Sequence, residues 1–79
     1  MSSPIETAMF ELLGACDAGK SISPEEVARA ADAAGWRRLL PQVKASAVGL
    51  AREGRLIILR HGKPADPDAL KGVYRLRLP

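Results

Sequence analysis

The stretch WRRLLPQVKASAVGLAREGRLIILRHGK, residues Trp36–Lys63, holds the features that decide the fold. Its first part has apolar residues at helical spacing, and Gly54 is predicted to end that helix. The aliphatic run Leu56–Leu59 follows, and four consecutive aliphatic residues with β-branched members predict a strand buried on both faces. The predicted inward residues of the helix are Val43, Ala47 and Leu50.

Two more helices are predicted upstream, and each begins with the pattern S-P-x-E, at residues 3–6 and 23–26. The serine can accept a bond from a backbone N–H, proline fits the first helical position, and the glutamate can reach back to the cap. The first helix is expected to end near residues 15–18 and the second at Gly35. Their predicted inward residues are Ile5, Ala8, Met9, Leu12, Leu13 and Cys16 in the first, and Val27, Ala30, Ala31 and Ala34 in the second.

The segment between the second and third helices carries the single tryptophan, Trp36. We interpret Trp36 as a core residue between the two helices, with base stacking as the less favoured alternative. Pro41 is predicted to lie in the first turn of the third helix, so that Arg37 and Arg38 precede it.

The chain closes with a predicted β-hairpin. Residues 61–72 are rich in glycine, proline and aspartate and predict a long loop, and VYRLRL, residues 73–78, alternates as a strand. Residues 21–23 could add a short strand at the sheet edge. The prediction is therefore one α+β domain over residues 1–79, a winged helix-turn-helix, and the alternative is a three-helix bundle with a hairpin appendage.

The composition argues against several classes of function. One cysteine and one histidine, Cys16 and His61, cannot form a disulfide or a metal cluster, and no nucleophile with a base and an orienting partner is evident. We therefore expect no catalysis, metal or cofactor, and we expect His61 to be an exposed loop residue. No apolar run approaches a membrane span, and we expect a cytoplasmic protein.

Charge is unevenly distributed along the chain. Residues 1–35 hold two basic and six acidic residues, a net charge of −4, whereas residues 36–79 hold ten basic and three acidic residues, a net charge of +7. Such asymmetry suggests that the second half meets an anionic partner, although a solvated face with no partner is an equally good interpretation.

A winged helix usually places its third helix in the major groove and its wing against the DNA backbone. The candidate nucleic-acid-binding residues are Arg37, Arg38, Gln42, Lys44, Arg52, Arg60 and Lys63. Few of these can read base edges, so we predict weak or non-specific binding to duplex DNA. The alternative is a protein-docking or dimerisation module, for which Ala45, Val48 and Gly49 offer a smooth helix face.

Several short motifs resemble a small bacterial family of unknown function. The family pattern S/T-P-x-E-V-A matches residues 23–28, W-R-x-L-M/L-P matches residues 36–41, and R-L-R-L matches residues 75–78. Leu50 and Gly54 match a further L-x-x-x-G-x-I pattern, from which Leu56 departs because it replaces the β-branched residue. This resemblance implies a winged-helix-like bacterial domain, and it implies no particular activity.

Overall fold

The chain folds as three helices followed by a three-stranded antiparallel sheet, in a computed structural model that describes residues 4–16, 19–70 and 72–79. The predicted α+β class is confirmed, and the arrangement is winged-helix-like. The elements are α1 (Pro4–Ala15), α2 (Pro24–Ala31), α3 (Trp36–Arg52), β1 (Ile57–Arg60), β2 (Lys63–Pro64), a 3-10 turn (Pro67–Ala69) and β3 (Arg75–Arg77).

The sheet order is β2-β1-β3, and both pairings are antiparallel. The edge strand predicted at residues 21–23 is present as a single antiparallel bridge between Ile22 and Leu76. Each of these two residues donates its N–H to the other's carbonyl oxygen over 2.8 Å. The segment before α2 is thereby fixed against the outer edge of β3.

The predicted loop after β1 contains more structure than the sequence indicated. His61 and Gly62 form a two-residue turn with φ of 53° and 79°, which is typical of a type I′ hairpin turn. This turn pairs Arg60 with Lys63 and creates β2. Farther along, the side chain of Asp66 accepts a bond from the Asp68 N–H over 2.9 Å and begins the 3-10 turn.

The core lies between the three helices and the inner face of the sheet. Its largest fully buried side chains come from the three helices and from two of the strands: Met9 in α1, Val27 in α2, Val43 in α3, Ile58 in β1 and Leu76 in β3. The last strand is shorter than the predicted 73–78, and the alternation is confirmed only in part: Tyr74 and Leu76 are buried and Arg75 is exposed, but Leu78, predicted to face inward, is also exposed. The inward residues predicted for α3 are also buried.

The second helix ends earlier than predicted, at Ala31 rather than at Gly35. Asp32 has an extended backbone, with φ −155° and ψ 99°, and its carboxylate accepts bonds from the N–H groups of Ala34 and Gly35, each over 3.1 Å. An aspartate that bonds the following backbone competes with helix continuation. Ala34 therefore lies beyond the helix and is exposed, and within α2 the buried residues are Val27 and Ala28, whereas Ala30, predicted to face inward, is exposed.

The third helix begins earlier than predicted, at Trp36, so Pro41 lies inside it rather than in its first turn. Arg37 and Arg38 therefore occupy its first turn rather than the segment before it. The Arg38 N–H donates to the Gly35 carbonyl over 3.1 Å, an i→i+3 bond that tightens this turn. Because Pro41 has no N–H, it leaves the Arg37 carbonyl without the usual helical donor.

The end of α3 agrees with the sequence prediction. Gly54 has φ of 76°, its N–H donates to Ala51 over 3.0 Å, and the Arg55 N–H donates to Leu50 over 3.0 Å. These two bonds form a Schellman motif, which requires a residue in the left-handed region and so favours glycine.

Several burial predictions were wrong in degree. Leu12 and Cys16 pack against the core but are only half-buried. Ile58 is buried, but its neighbours Ile57 and Leu59 are only half-buried, because the sheet is a single layer with helices on one face. Trp36, predicted as a core residue, packs against the core but is only half-buried. The predicted cap at Ser3 lies outside the described residues.

Candidate nucleic-acid interface

The first half of α3 presents an exposed basic surface. Arg37 and Arg38 lie in its first turn, Gln42 and Lys44 lie one to two turns later, and all four residues are exposed. Arg37 and Lys44 are seven residues apart and Arg38 and Gln42 are four apart, so both pairs line up along the helix. The surface extends about 10 Å along the axis, at 1.5 Å per residue.

The turn between α2 and α3 sets the position of this surface. Gly35 is buried, and a β-carbon at this residue would lie 2.8 Å from Asp32 Oδ2 and 3.0 Å from Arg38 Nη2. The side chains of Asp32 and Arg38 therefore pack close to the Gly35 backbone, and a β-carbon at position 35 would require the ends of both side chains to shift. Together with the two bonds accepted by Asp32, this close approach holds the start of α3 against the end of α2.

Trp36 is part of an arginine cluster that the sequence did not reveal. The guanidinium carbons of Arg29 and Arg37 lie 4.6 Å and 4.8 Å from the centroid of the indole ring, within the range of cation–π attraction. Arg29 also pairs with Glu25 over 2.5 Å. Because the ring is half-buried and in contact with two cations, it is poorly placed to stack on a nucleic-acid base.

The second half of α3 differs electrostatically from the first. Arg52 donates from Nε to Asp68 Oδ1 over 2.9 Å, and its Nη2 contacts the same oxygen. The last turn of α3 is thus linked to the 3-10 turn between β2 and β3, and the Asp68 carboxylate offsets the charge of Arg52. Arg52 was predicted to contact phosphate, and its pairing with Asp68 leaves less of its charge available for such a contact.

Two candidate residues flank the β1–β2 turn. Arg60 is half-buried and donates from Nε to the Val73 carbonyl over 3.2 Å, so it supports the return of the chain towards β3. Lys63, across the hairpin from Arg60, is exposed. The seven predicted site residues thus separate into a group on α3, a residue paired with Asp68, and two residues at the hairpin.

An apolar groove runs beside the basic surface. It is lined by Pro24 at the start of α2, by Leu40, Pro41 and Lys44 of α3, and by Tyr74. Burial raises the pKa of Tyr74 to about 12. Tyr74, which directly precedes β3, thus lines the same groove as the half of α3 that carries the exposed charges.

A family model described as "Protein of unknown function (DUF3253)" matches residues 2–79. The chain belongs to the DUF3253 family. The resemblance to a family of unknown function is thereby confirmed, whereas no curated protein matches the DUF3253 chain.

Within its described residues, the DUF3253 chain has no helix that is both long enough and apolar enough to cross a membrane. Sequence reasoning missed three residues that shape the interface: Arg29, Asp32 and Asp68. Asp32 had a readable signal, since an aspartate two or three residues before a glycine is typical of a side chain that bonds a turn. Arg29 and Asp68 act through tertiary contacts, which have no local signature.

Proposed function

We propose that this DUF3253 chain binds duplex DNA with little sequence preference, through the first half of α3 and the β1–β2 hairpin. One observation carries the proposal: α3 holds four basic residues and no acidic residue over its 17 positions. By contrast, α2 holds two glutamates and one arginine.

The position of the two arginines adds weight to this proposal. Arg37 and Arg38 lie at the amino end of α3, where the helix dipole disfavours positive charge. Two cations in this place cost some stability, which the nearby Asp32 carboxylate offsets in part and a backbone phosphate of DNA would offset further.

Weak sequence preference follows from the other exposed positions of α3. Ala45 and Gly49 are exposed and have no group that could bond to a base edge. Gln42 is the one exposed amide on the helix, and a single bidentate contact gives limited discrimination. We therefore expect phosphate contacts to dominate the affinity.

The test is a titration of the purified chain against a labelled duplex of random sequence at low and at moderate salt. Binding at low salt that weakens steeply as salt rises is the expected result, because phosphate contacts release counterions. Absence of binding at low salt would exclude this function.

The second candidate is a docking module, which is favoured by the exposed small residues Ala45 and Gly49 beside the half-buried Val48. Such a face lets a partner helix approach closely, either from another protein or from a second copy. Light scattering across a range of concentrations tests the dimer. A mass that stays that of the monomer, together with salt-dependent DNA binding, would favour the first candidate.

A further inference from the structure

A small cleft opens on the outer face of the sheet, away from the helices. Its volume is about 230 Å³, and it lies between the β1–β2 turn and β3. The apolar lining includes Leu59 and Val73, and the polar lining includes Ser21, His61 and Arg75. The cleft therefore combines an apolar floor with neutral and cationic polar groups.

Arg75 is held in place by a neutral partner rather than by an acid. Its Nε donates to Ser21 Oγ over 2.6 Å, and its Nη2 donates to the Ser21 carbonyl over 2.9 Å. A guanidinium has five N–H donors, so donors remain beyond those that Ser21 engages. These two bonds already order the Arg75 side chain, so a ligand would not have to do so. They do not neutralise its charge.

The apolar part of the cleft includes the most exposed large hydrophobic residue among those described. Val73 is 84% exposed, although it adjoins the buried Tyr74. Leu59, opposite Arg75 on the neighbouring strand, is half-buried. An exposed valine beside a half-buried leucine leaves apolar surface in water that a small ligand would cover.

His61 borders the same cleft in an uncommon backbone conformation. Its φ of 53° lies in the left-handed region, which the type I′ turn requires and which histidine adopts more readily than most side chains. The turn thereby places His61 in the lining of the cleft.

We propose that this cleft binds a small organic carboxylate with a compact apolar body. Arg75 would hold the carboxylate with its planar fork, and Leu59 and Val73 would cover the apolar body. The volume lies below the roughly 300–1,000 Å³ of sites for drug-sized ligands, which favours a single-ring or short branched acid. The cleft borders the β1–β2 turn, but the side chains proposed to hold the acid, Leu59, Val73 and Arg75, are not among the proposed DNA contacts.

The experiment is a nuclear magnetic resonance titration of the isotope-labelled chain with benzoate. Benzyl alcohol tests the same apolar body without the charge, and inorganic phosphate tests an anion without the body. We expect benzoate to shift the amide resonances of residues around the cleft in a saturable way, and to bind roughly tenfold more tightly than either control. Equal binding of benzyl alcohol or phosphate, or absence of saturable shifts with benzoate, would overturn the proposal.

Variants then locate the contact. Arg75→Gln should weaken benzoate binding by roughly tenfold, and Arg75→Lys should weaken it less, because the charge remains but the fork is lost. Arg77→Gln is the matched control, since Arg77 lies on the same face of β3 but outside the cleft. Equal losses in the Arg75 and Arg77 variants would indicate diffuse charge and would refute a defined site. Thermal unfolding of each variant shows whether the fold is retained.

Discussion

Arg52 and Asp68 join the end of the third helix to the wing, with Arg52 Nε 2.9 Å from Asp68 Oδ1. Both side chains are largely exposed, so the pair contributes little stability of its own. Its larger effect is electrostatic, because it offsets a cation on the helix proposed to meet DNA. With Arg52 paired to Asp68, the exposed basic surface is confined to the first half of α3 and to the β1–β2 hairpin.

Asp68→Asn should tighten DNA binding, because it releases Arg52 and removes a negative charge. If Arg52 then contacts one phosphate, the slope of log K against log salt should steepen by about one. Glu53→Gln is the control, since Glu53 pairs with Arg55 over 3.6 Å at the same end of α3. An equal change in the Glu53 variant would mean that net charge, and not Arg52, is responsible.

Asp32→Ala should destabilise the fold by about 0.5–2 kcal/mol, the range for loss of a side chain that caps backbone N–H groups. Asp32→Asn should retain most of the stability, because the amide oxygen can accept the same bonds from Ala34 and Gly35. Urea unfolding measures both variants. Equal stability of the alanine variant and the parent chain would show that the turn does not depend on this side chain.

Trp36→Ala should cost about 1–3 kcal/mol in the free energy of unfolding, below the range for a fully buried aromatic residue. The ring is half-buried and contacts Arg29 and Arg37, so its removal takes away part of a packing surface and two cation–π contacts. A double-mutant cycle with Arg29→Ala should give a coupling of about 0.5–1 kcal/mol. Additive effects would contradict the contact between them.

The Tyr74 hydroxyl should titrate at a higher pH in the folded chain than in the unfolded chain. The free energy of unfolding should therefore fall at high pH. The pKa of Tyr74 is about 12 in the folded chain, because burial disfavours the phenolate, against about 10 when unfolded. The unfolded state therefore loses the proton first, and about 2–3 kcal/mol of stability is lost between pH 10 and pH 12. Tyr74 is the single tyrosine, so tyrosinate absorbance reports it directly. A midpoint near pH 10 would contradict its burial, and Tyr74→Phe should lack this part of the pH dependence.

Local patterns predicted the fold class well, because the decisive signals lie within a few residues of each other. The cap at Ser23 accepts from the Glu26 N–H over 3.1 Å as the S-P-x-E pattern indicated. The stop at Gly54 and the alternation around Leu76 were equally readable. Each of these features depends on backbone geometry or on burial of one face, and both leave a short-range trace in the sequence.

The predictions that failed depended on competition between local rules or on distant contacts. Pro41 matched the preference for a first helical position, but the turn built by Asp32 started the helix at Trp36 instead. The aliphatic run in β1 resembled a strand buried on both faces, whereas in a single-layer sheet only Ile58 is fully covered. The links from Arg52 to Asp68 and from Arg60 to Val73 join residues that only the fold brings together.

The central claim, that the first half of α3 holds the DNA, is tested most directly by two double variants of equal charge. One is Arg38→Gln with Lys44→Gln on α3, and the other is Arg75→Gln with Arg77→Gln on the outer face of the sheet. The measurement is the salt dependence of binding to a random duplex. The account predicts that the slope falls by about two in the α3 variant and is nearly unchanged in the sheet variant. Equal loss in both variants would contradict it, as would a larger loss in the sheet variant.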